Sequence, residues 1–137
     1  MGTYACDDGN HVSGDGCSAL CTIETGWKCS GGTRTKPDTC TERCGSGLNF
    51  GTKPCDDGNT RNGDGCSSSC NIETGWTCRG SSKTSRDTCT EICGDGLNFG
   101  RYACDDGNFI NNDGCDRFCQ VEQYWTCTSG SPSVCTQ

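Results

Sequence analysis

The sequence predicts a small disulfide-rich fold, mostly loops with short β-hairpins, set out as a tandem array of three modules of about 49 residues. Three observations carry this expectation: 17 cysteines and 21 glycines among 137 residues, a cysteine pattern that recurs every 49 positions, and Asp-Gly or Asn-Gly pairs inside each repeat. Without its cysteines the apolar set falls to 24 residues, too few for an ordinary hydrophobic interior. Cysteine above about 8% in a short chain is the mark of a disulfide scaffold. Zinc is the rival use of so many thiols, but zinc sites favour C-x2-C or C-x4-C pairs with histidines. Here the close pairs are C-x3-C and His11 is the single histidine.

Composition also narrows the setting. Disulfides persist in oxidising compartments, so the expected location is extracellular, secreted or at the cell surface. No stretch approaches the roughly 18 to 20 apolar residues of a membrane span. A net charge of -7 argues against a nucleic-acid partner, which requires a clustered basic surface.

The period is read directly from Cys6, Cys55 and Cys104, and again from Cys17, Cys66 and Cys115. Residues 1–43 and 50–92 share 26 identities in 43 positions, as a duplicated unit does. Starting each module at the Cys-Gly-x-Gly-Leu-Asn-Phe segment gives modules 1–43, 44–92 and 93–137, the first N-terminally incomplete with five cysteines rather than six. Met1 aligns with Phe50 and Phe99, which places the sixth cysteine about six positions upstream and leads us to expect a longer parent chain.

The first half of each module carries Cys-Asp-Asp-Gly-Asn, four residues, then Asp-Gly-Cys; these Asp-Gly and Asn-Gly pairs supply the positive φ of tight turns. The C-x3-C step, as in Cys66 and Cys70, suits one short turn of helix, since that spacing puts both thiols on one face. Ile23, Ile72 and Val121, then Trp27, Trp76 and Trp125, join Leu48 and Phe50 or Leu97 and Phe99 as one small apolar cluster per module. Such a cluster is weak beside the bridges, since closing a loop of about 11 or 12 residues contributes about 3 kcal/mol in the chain-entropy account. The last segment varies: it carries Arg34 and Lys36 in the first module, Arg79, Lys83 and Arg86 in the second, and no charge in residues 128–134. Acidic first halves alternating with basic loops raise the prospect of head-to-tail attraction between modules.

Cys44-Gly45-Ser46-Gly47, Cys55-Asp56-Asp57-Gly58-Asn59 and Gly63-Asp64-Gly65-Cys66-Ser67 with Cys70 resemble the Myxococcus cysteine-rich repeat family, and residues 93–119 repeat the likeness. The resemblance implies tandem modules of large secreted or surface proteins, with no established molecular activity. The third module departs from it at Asn112, where the others have Gly14 and Gly63, and at Asp116, where they have Ser18 and Ser67. Its turn is therefore expected to differ. A weaker similarity to the calcium-binding cysteine modules of Notch-type receptors fails on spacing and bears only on calcium.

Calcium takes six to eight oxygen ligands, and each module repeats a set at fixed offsets: Asp7, Asp8, Asn10 and Asp15; Asp56, Asp57, Asn59 and Asp64; Asp105, Asp106, Asn108 and Asp113. The competing role is turn capping through local side-chain to backbone hydrogen bonds. No cofactor is required, and structural Ca2+ stays an open alternative. Glu24, Glu73 and Glu122 fit turn capping or salt bridging better than catalysis, and His11 aligns with Thr60 and Phe109, so no general base recurs. An enzyme is not expected. The tryptophans fit disulfide cover or inter-module packing better than sugar stacking. No Asn-x-Ser/Thr sequon is present, while the Ser/Thr-rich loops leave O-glycosylation open.

Six cysteines permit 15 pairings. The one expected joins second to third, fifth to sixth and first to fourth: Cys6–Cys17, Cys29–Cys40, Cys44–Cys70, Cys55–Cys66, Cys78–Cys89, Cys93–Cys119, Cys104–Cys115 and Cys127–Cys135, with Cys21 unpaired in this chain. The functional expectation is a structural extracellular repeat protein, its modules stacked end to end in a stalk, surface layer or filament. Its partners are then further copies of the module or subunit, head to tail. The alternative is an adhesin or receptor ectodomain binding glycan or surface protein through the variable loops; a secreted inhibitor or toxin explains near-identical modules less well.

Overall fold

The computed structural model describes residues 4–137, so Met1 and its alignment lie outside the described residues. Six short strands form three two-stranded antiparallel hairpins, with no helix among the described residues. Strands β1 (Trp27–Ser30) and β2 (Thr39–Glu42) make the first, β3 (Trp76–Arg79) and β4 (Thr88–Glu91) the second, and β5 (Thr126–Cys127) and β6 (Cys135–Thr136) the third. In each hairpin two cysteines stand directly opposite, Cys29 to Cys40, Cys78 to Cys89 and Cys127 to Cys135, and each pair is bridged. An isolated two-stranded ribbon is marginal in water; here a covalent rung closes it.

Ahead of each hairpin lies a knot of turns. In the first it is closed by Cys6–Cys17, in the second by Cys55–Cys66 and Cys44–Cys70, in the third by Cys104–Cys115 and Cys93–Cys119. Cys21 carries a free thiol. Among the described residues the buried apolar ones are all cysteines, so sulfur fills the place that hydrocarbon takes in larger domains. Ile23, Ile72 and Val121 do not join it: each forms an isolated bridge with Cys17, Cys66 or Cys115 and is 37–44% exposed. The small apolar cluster expected within each module is replaced by a contact between modules, described below.

Two local expectations are corrected. The C-x3-C step is no helical turn: the Cys70 amide donates to the Ser67 carbonyl at 2.8 Å, Ser67 Oγ accepts from Ser69 and Asn71, and Cys70 ends the turn at φ 58°. Its two sulfurs then leave for different partners, Cys55 and Cys44. The third module's turn keeps the form of the others. Asn112 adopts φ 76°, which short polar side chains tolerate, and Asp116 Oδ1 accepts from Phe118 and Gln120 where Ser67 Oγ does the same work.

Candidate functional site

The repeated acidic sets divide into two groups with different work. Asp56 and Asp105 are fully buried and turned toward backbone amides: Asp56 Oδ1 accepts from Gly47 at 2.8 Å and Gly58 at 3.0 Å, and Asp105 accepts from Gly94, Gly96 and Gly107. Asp7 is exposed and accepts from Gly9. Asp56 and Asp105 thus tie the Cys-Gly-x-Gly segments of the second and third modules onto their knots. Asp105 also lies within 4.8 Å of the sulfurs of Cys93 and Cys119, but those are spent in a disulfide.

The other residues of each set are joined by hydrogen bonds of their own. Asn10, Asn59 and Asn108 donate through Nδ2 to Asp15, Asp64 and Asp113, and accept through Oδ1 from Val12, Arg61 and Ile110. The second carboxylate oxygen of Asp15, Asp64 and Asp113 is buried without a hydrogen-bond partner in all three modules. Asp57 and Asp106 feel those neighbours. Burial, reinforced by the charge of Asp64 or Asp113, holds their carboxyls above the usual range despite hydrogen bonds from Asn59 and Asn108. Asp8 occupies the corresponding place in the first module and accepts from the Asn10 amide. Asp57 with Asp64, and Asp106 with Asp113, thus stand as carboxylate pairs, while Asp56 and Asp105 face backbone amides.

Glu24, Glu73 and Glu122 cap the turns. Each carboxylate spans two amides at 2.7–2.9 Å: Gly14 and Gly16, Gly63 and Gly65, Asn112 and Gly114. This brings Gly16, Gly65 and Gly114 against the hairpin. A Cβ there would stand 2.4, 2.4 and 2.2 Å from the Cβ of Cys40, Cys89 and Cys135, and 2.8 Å from the tryptophan ring, at φ 110–117°. Only glycine satisfies that approach. The hairpin is also laced back to the acidic turn: the Asp87 amide donates to the Asp56 carbonyl and the Asp56 amide to Asp87 Oδ2, with Asp38 and Ser133 doing likewise for Asp7 and Asp105.

The most developed arrangement lies between modules. Leu48 and Phe50 press on Gly26, and the Phe50 ring packs on Trp27 with centroids 5.3 Å apart. Leu97 and Phe99 do the same on Gly75 and Trp76, at 5.5 Å. Glu42, at the end of β2, accepts from the amides of Phe50 and Thr52; Glu91, at the end of β4, accepts from those of Phe99 and Arg101. The first and second hairpins thus each offer a socket, Gly-Trp with a glutamate opposite, to a Leu-Asn-Phe plug of the following module. Asn49 and Asn98 hold the plug to its own module, through Ser81 and Ser82 in one case and Ser131 in the other.

The two junctions differ in one detail. At the first, Lys53 Nζ reaches Asp56, lies 3.7 Å from Glu42 and donates to the carbonyls of Arg43 and Leu48, with 9% of its side chain exposed. Burial alone would raise Glu42 and Asp56. For Glu42, hydrogen bonds from Thr52 and Phe50 outweigh it, and for Asp56 those from Lys53, Gly47 and Gly58, with the Lys53 charge aiding both, so both carboxyls fall below their ordinary values. At the second, Tyr102 takes the place of Lys53, its hydroxyl donating to the Glu91 carbonyl at 3.0 Å. Among the described residues the ion pairs are those of Lys53, so the charge attraction expected of the basic loops is carried by a residue outside them. Arg34, Lys36, Arg79, Lys83 and Arg86 are exposed; the stem of Arg86 lies over Gly47 and Gly58, and Arg34 and Lys36 line a cleft of about 420 Å3 with Tyr4, Asp7 and Asp38.

This twice-repeated unit has a counterpart among protein families. The family model described as "Domain of unknown function (DUF4215)" matches residues 25–71 and 73–120, more than half of the chain. The chain belongs to this family. Each DUF4215 span starts just before a hairpin and ends just after the following knot, so it keeps a socket together with the plug that fills it. Each also closes three disulfides of its own, Cys29–Cys40, Cys44–Cys70 and Cys55–Cys66 in one, Cys78–Cys89, Cys93–Cys119 and Cys104–Cys115 in the other. No curated protein and no solved structure matches the chain. Two signals for the junction were present in the sequence and went unread: glycine before two of the three tryptophans, and glutamate closing the Thr-Cys-Thr-Glu strand.

Proposed function

We propose that this chain is a stretch of an extracellular structural array, in which disulfide-stapled modules are locked end to end as part of a stalk, surface layer or filament. The observation that carries the reading is the junction itself, made twice from the same residue types in the same geometry. Repeats whose contacts are confined to neighbours behave as quasi-one-dimensional assemblies. The resemblance to the Myxococcus cysteine-rich repeats, and the density of disulfides, support a secreted or surface setting. Immunogold labelling of unpermeabilised source cells with antibody to residues 93–137 tests it. Label along continuous surface structures is the expected result; a bare surface on intact cells, with label appearing only after permeabilisation, overturns it. Neutralising Arg34, Lys36, Arg79, Lys83 and Arg86 distinguishes the adhesin alternative: loss of ligand capture with assembly intact favours adhesion over scaffolding.

A second reading is calcium held in the acidic turns, favoured by the unpartnered oxygens of Asp15, Asp64 and Asp113 beside a second carboxylate. Calorimetric titration with Ca2+ tests it, with D64N expected to remove one of the sites; absence of binding heat at millimolar calcium overturns it.

A further inference from the structure

The two filled sockets share two features that the third hairpin lacks. Gly26 and Gly75 precede Trp27 and Trp76 at φ 87° and 84°, whereas Tyr124 precedes Trp125 at φ 69°. The backbone around them is otherwise alike, for the amides of Trp27, Trp76 and Trp125 donate to Glu24, Glu73 and Glu122 at 3.1 Å in each. A Cβ placed on Gly75 would lie 2.8 Å from Phe99 Cε2, 3.0 Å from Leu97 Cδ1 and 3.3 Å from Leu97 Cβ. The ring atoms could rotate aside, but Leu97 Cβ is fixed to its backbone, and a tyrosine adds a whole phenol in the space the plug fills. Tyr124 instead projects into solvent, 84% exposed.

The second feature is the acceptor. Glu42 and Glu91 stand opposite Trp27 and Trp76 in the hairpin register. Continuing the register of β5 and β6 by one residue brings Gln137 opposite Trp125. A carboxylate offers two charged oxygens to two plug amides; a carboxamide offers one neutral oxygen and turns an NH2 toward donors.

We propose that residue 124 decides whether a module receives another of its own kind, and that Tyr124, with Gln137, makes the third module a terminating unit. The series then has a direction and a closed face, and any chain continuing past Gln137 meets that face in a different way. Repeat arrays generally need an atypical end unit, because an open socket leaves apolar surface unpaired. The proposal sets an end to the array suggested above but rests on junction geometry alone, so its fate and that of the stalk or filament reading are separable.

The test moves the third module's residues into a junction that is filled. Gly75→Tyr with Glu91→Gln, in the full chain, is read by amide exchange at Phe99 and Arg101, whose N–H groups donate to Glu91, with the disulfide map as the check on folding. Exchange at both is expected to rise at least about tenfold while Gly96, bound to Asp105, keeps its protection. Protection within about twofold of the parent, with the disulfides intact, overturns the proposal. A second experiment runs in the other direction and does not rely on that variant folding. Residues 43–92 are appended after Gln137, in the parent and in Tyr124→Gly/Gln137→Glu. Protection of the appended Phe50 amide only in the second chain supports the proposal; equal protection in both overturns it.

Discussion

Gly65→Ala isolates the contact that clamps a hairpin to its knot. The added methyl would sit 2.4 Å from Cys89 Cβ, 2.8 Å from Trp76 Cε3 and 3.2 Å from Cys89 Sγ, where carbon atoms settle at about 3.5–4.0 Å. None of these atoms yields easily: Cys89 is bonded to Cys78 across the strand pair, and the Trp76 ring is held by Phe99. Overpacking of this kind costs about 1–3 kcal/mol, and an alanine at φ 110° adds about 1–2 kcal/mol of backbone strain. Gly51→Ala supplies the control, since its φ is 108° and its Cβ would meet nothing within 4 Å. The difference between the two variants is the crowding alone. The reporter is amide exchange at Glu73, whose N–H donates to the Gly65 carbonyl at 2.9 Å, measured on the oxidised chain. A local readout suits linked modules, whose unfolding need not be a single two-state step. Gly65→Ala should speed that exchange by about tenfold or more beyond any effect of Gly51→Ala. Equal behaviour of the two would refute the clamp.

Three further outcomes are expected. Acid should open the first junction: Glu42 and Asp56 lie below their ordinary values of 4.5 and 3.8, so the stability they contribute is full above those values and is lost as pH falls through the folded pKa. Amide exchange at Phe50 and Thr52, corrected for intrinsic rate, follows this directly. Lys53→Met leaves Asp56 buried without its cation, which costs about 3–5 kcal/mol by precedent, and the carboxyl resonances of Glu42 and Asp56 should titrate at higher pH than in the parent. Glu73→Gln replaces a charged acceptor of the Gly63 and Gly65 amides with a neutral one; a loss of about 1–2 kcal/mol is expected, seen as faster exchange at both glycines and a lower denaturant midpoint.

The sequence carried the architecture because cysteine spacing and Asp-Gly turns are local codes: a 49-residue period with hairpin-sized gaps leaves little choice but tandem stapled loops. It carried the candidate site less well. Asp56 and Asp57 are neighbours with identical chemistry, yet one faces backbone amides and the other an aspartate across the turn, a division that depends on which side the Cys-Gly-x-Gly segment returns. The helical turn expected at Cys66 and Cys70 lost to a serine hydroxyl that takes two amides at once. Hydrophobic counting groups Leu48 and Phe50 into a cluster per module, because a contact across a repeat boundary leaves no signature in it. The glycine at 26 and 75 was that signature, since it marks a close approach by something distant in the chain.

The nesting of the bridges also fixes how such a chain answers tension. In the second module Cys44–Cys70 shunts force past 26 residue steps and Cys78–Cys89 past another 11, leaving 12 of the 49 steps free to extend. A pulled module can then lengthen to roughly 40 Å plus its bridging bonds, where the reduced chain would reach roughly 170 Å. Cys55–Cys66 lies inside the longer bypass and never feels the load while its neighbour holds. Drawn out from its ends, the chain meets a hard stop, and its slack is set by oxidation.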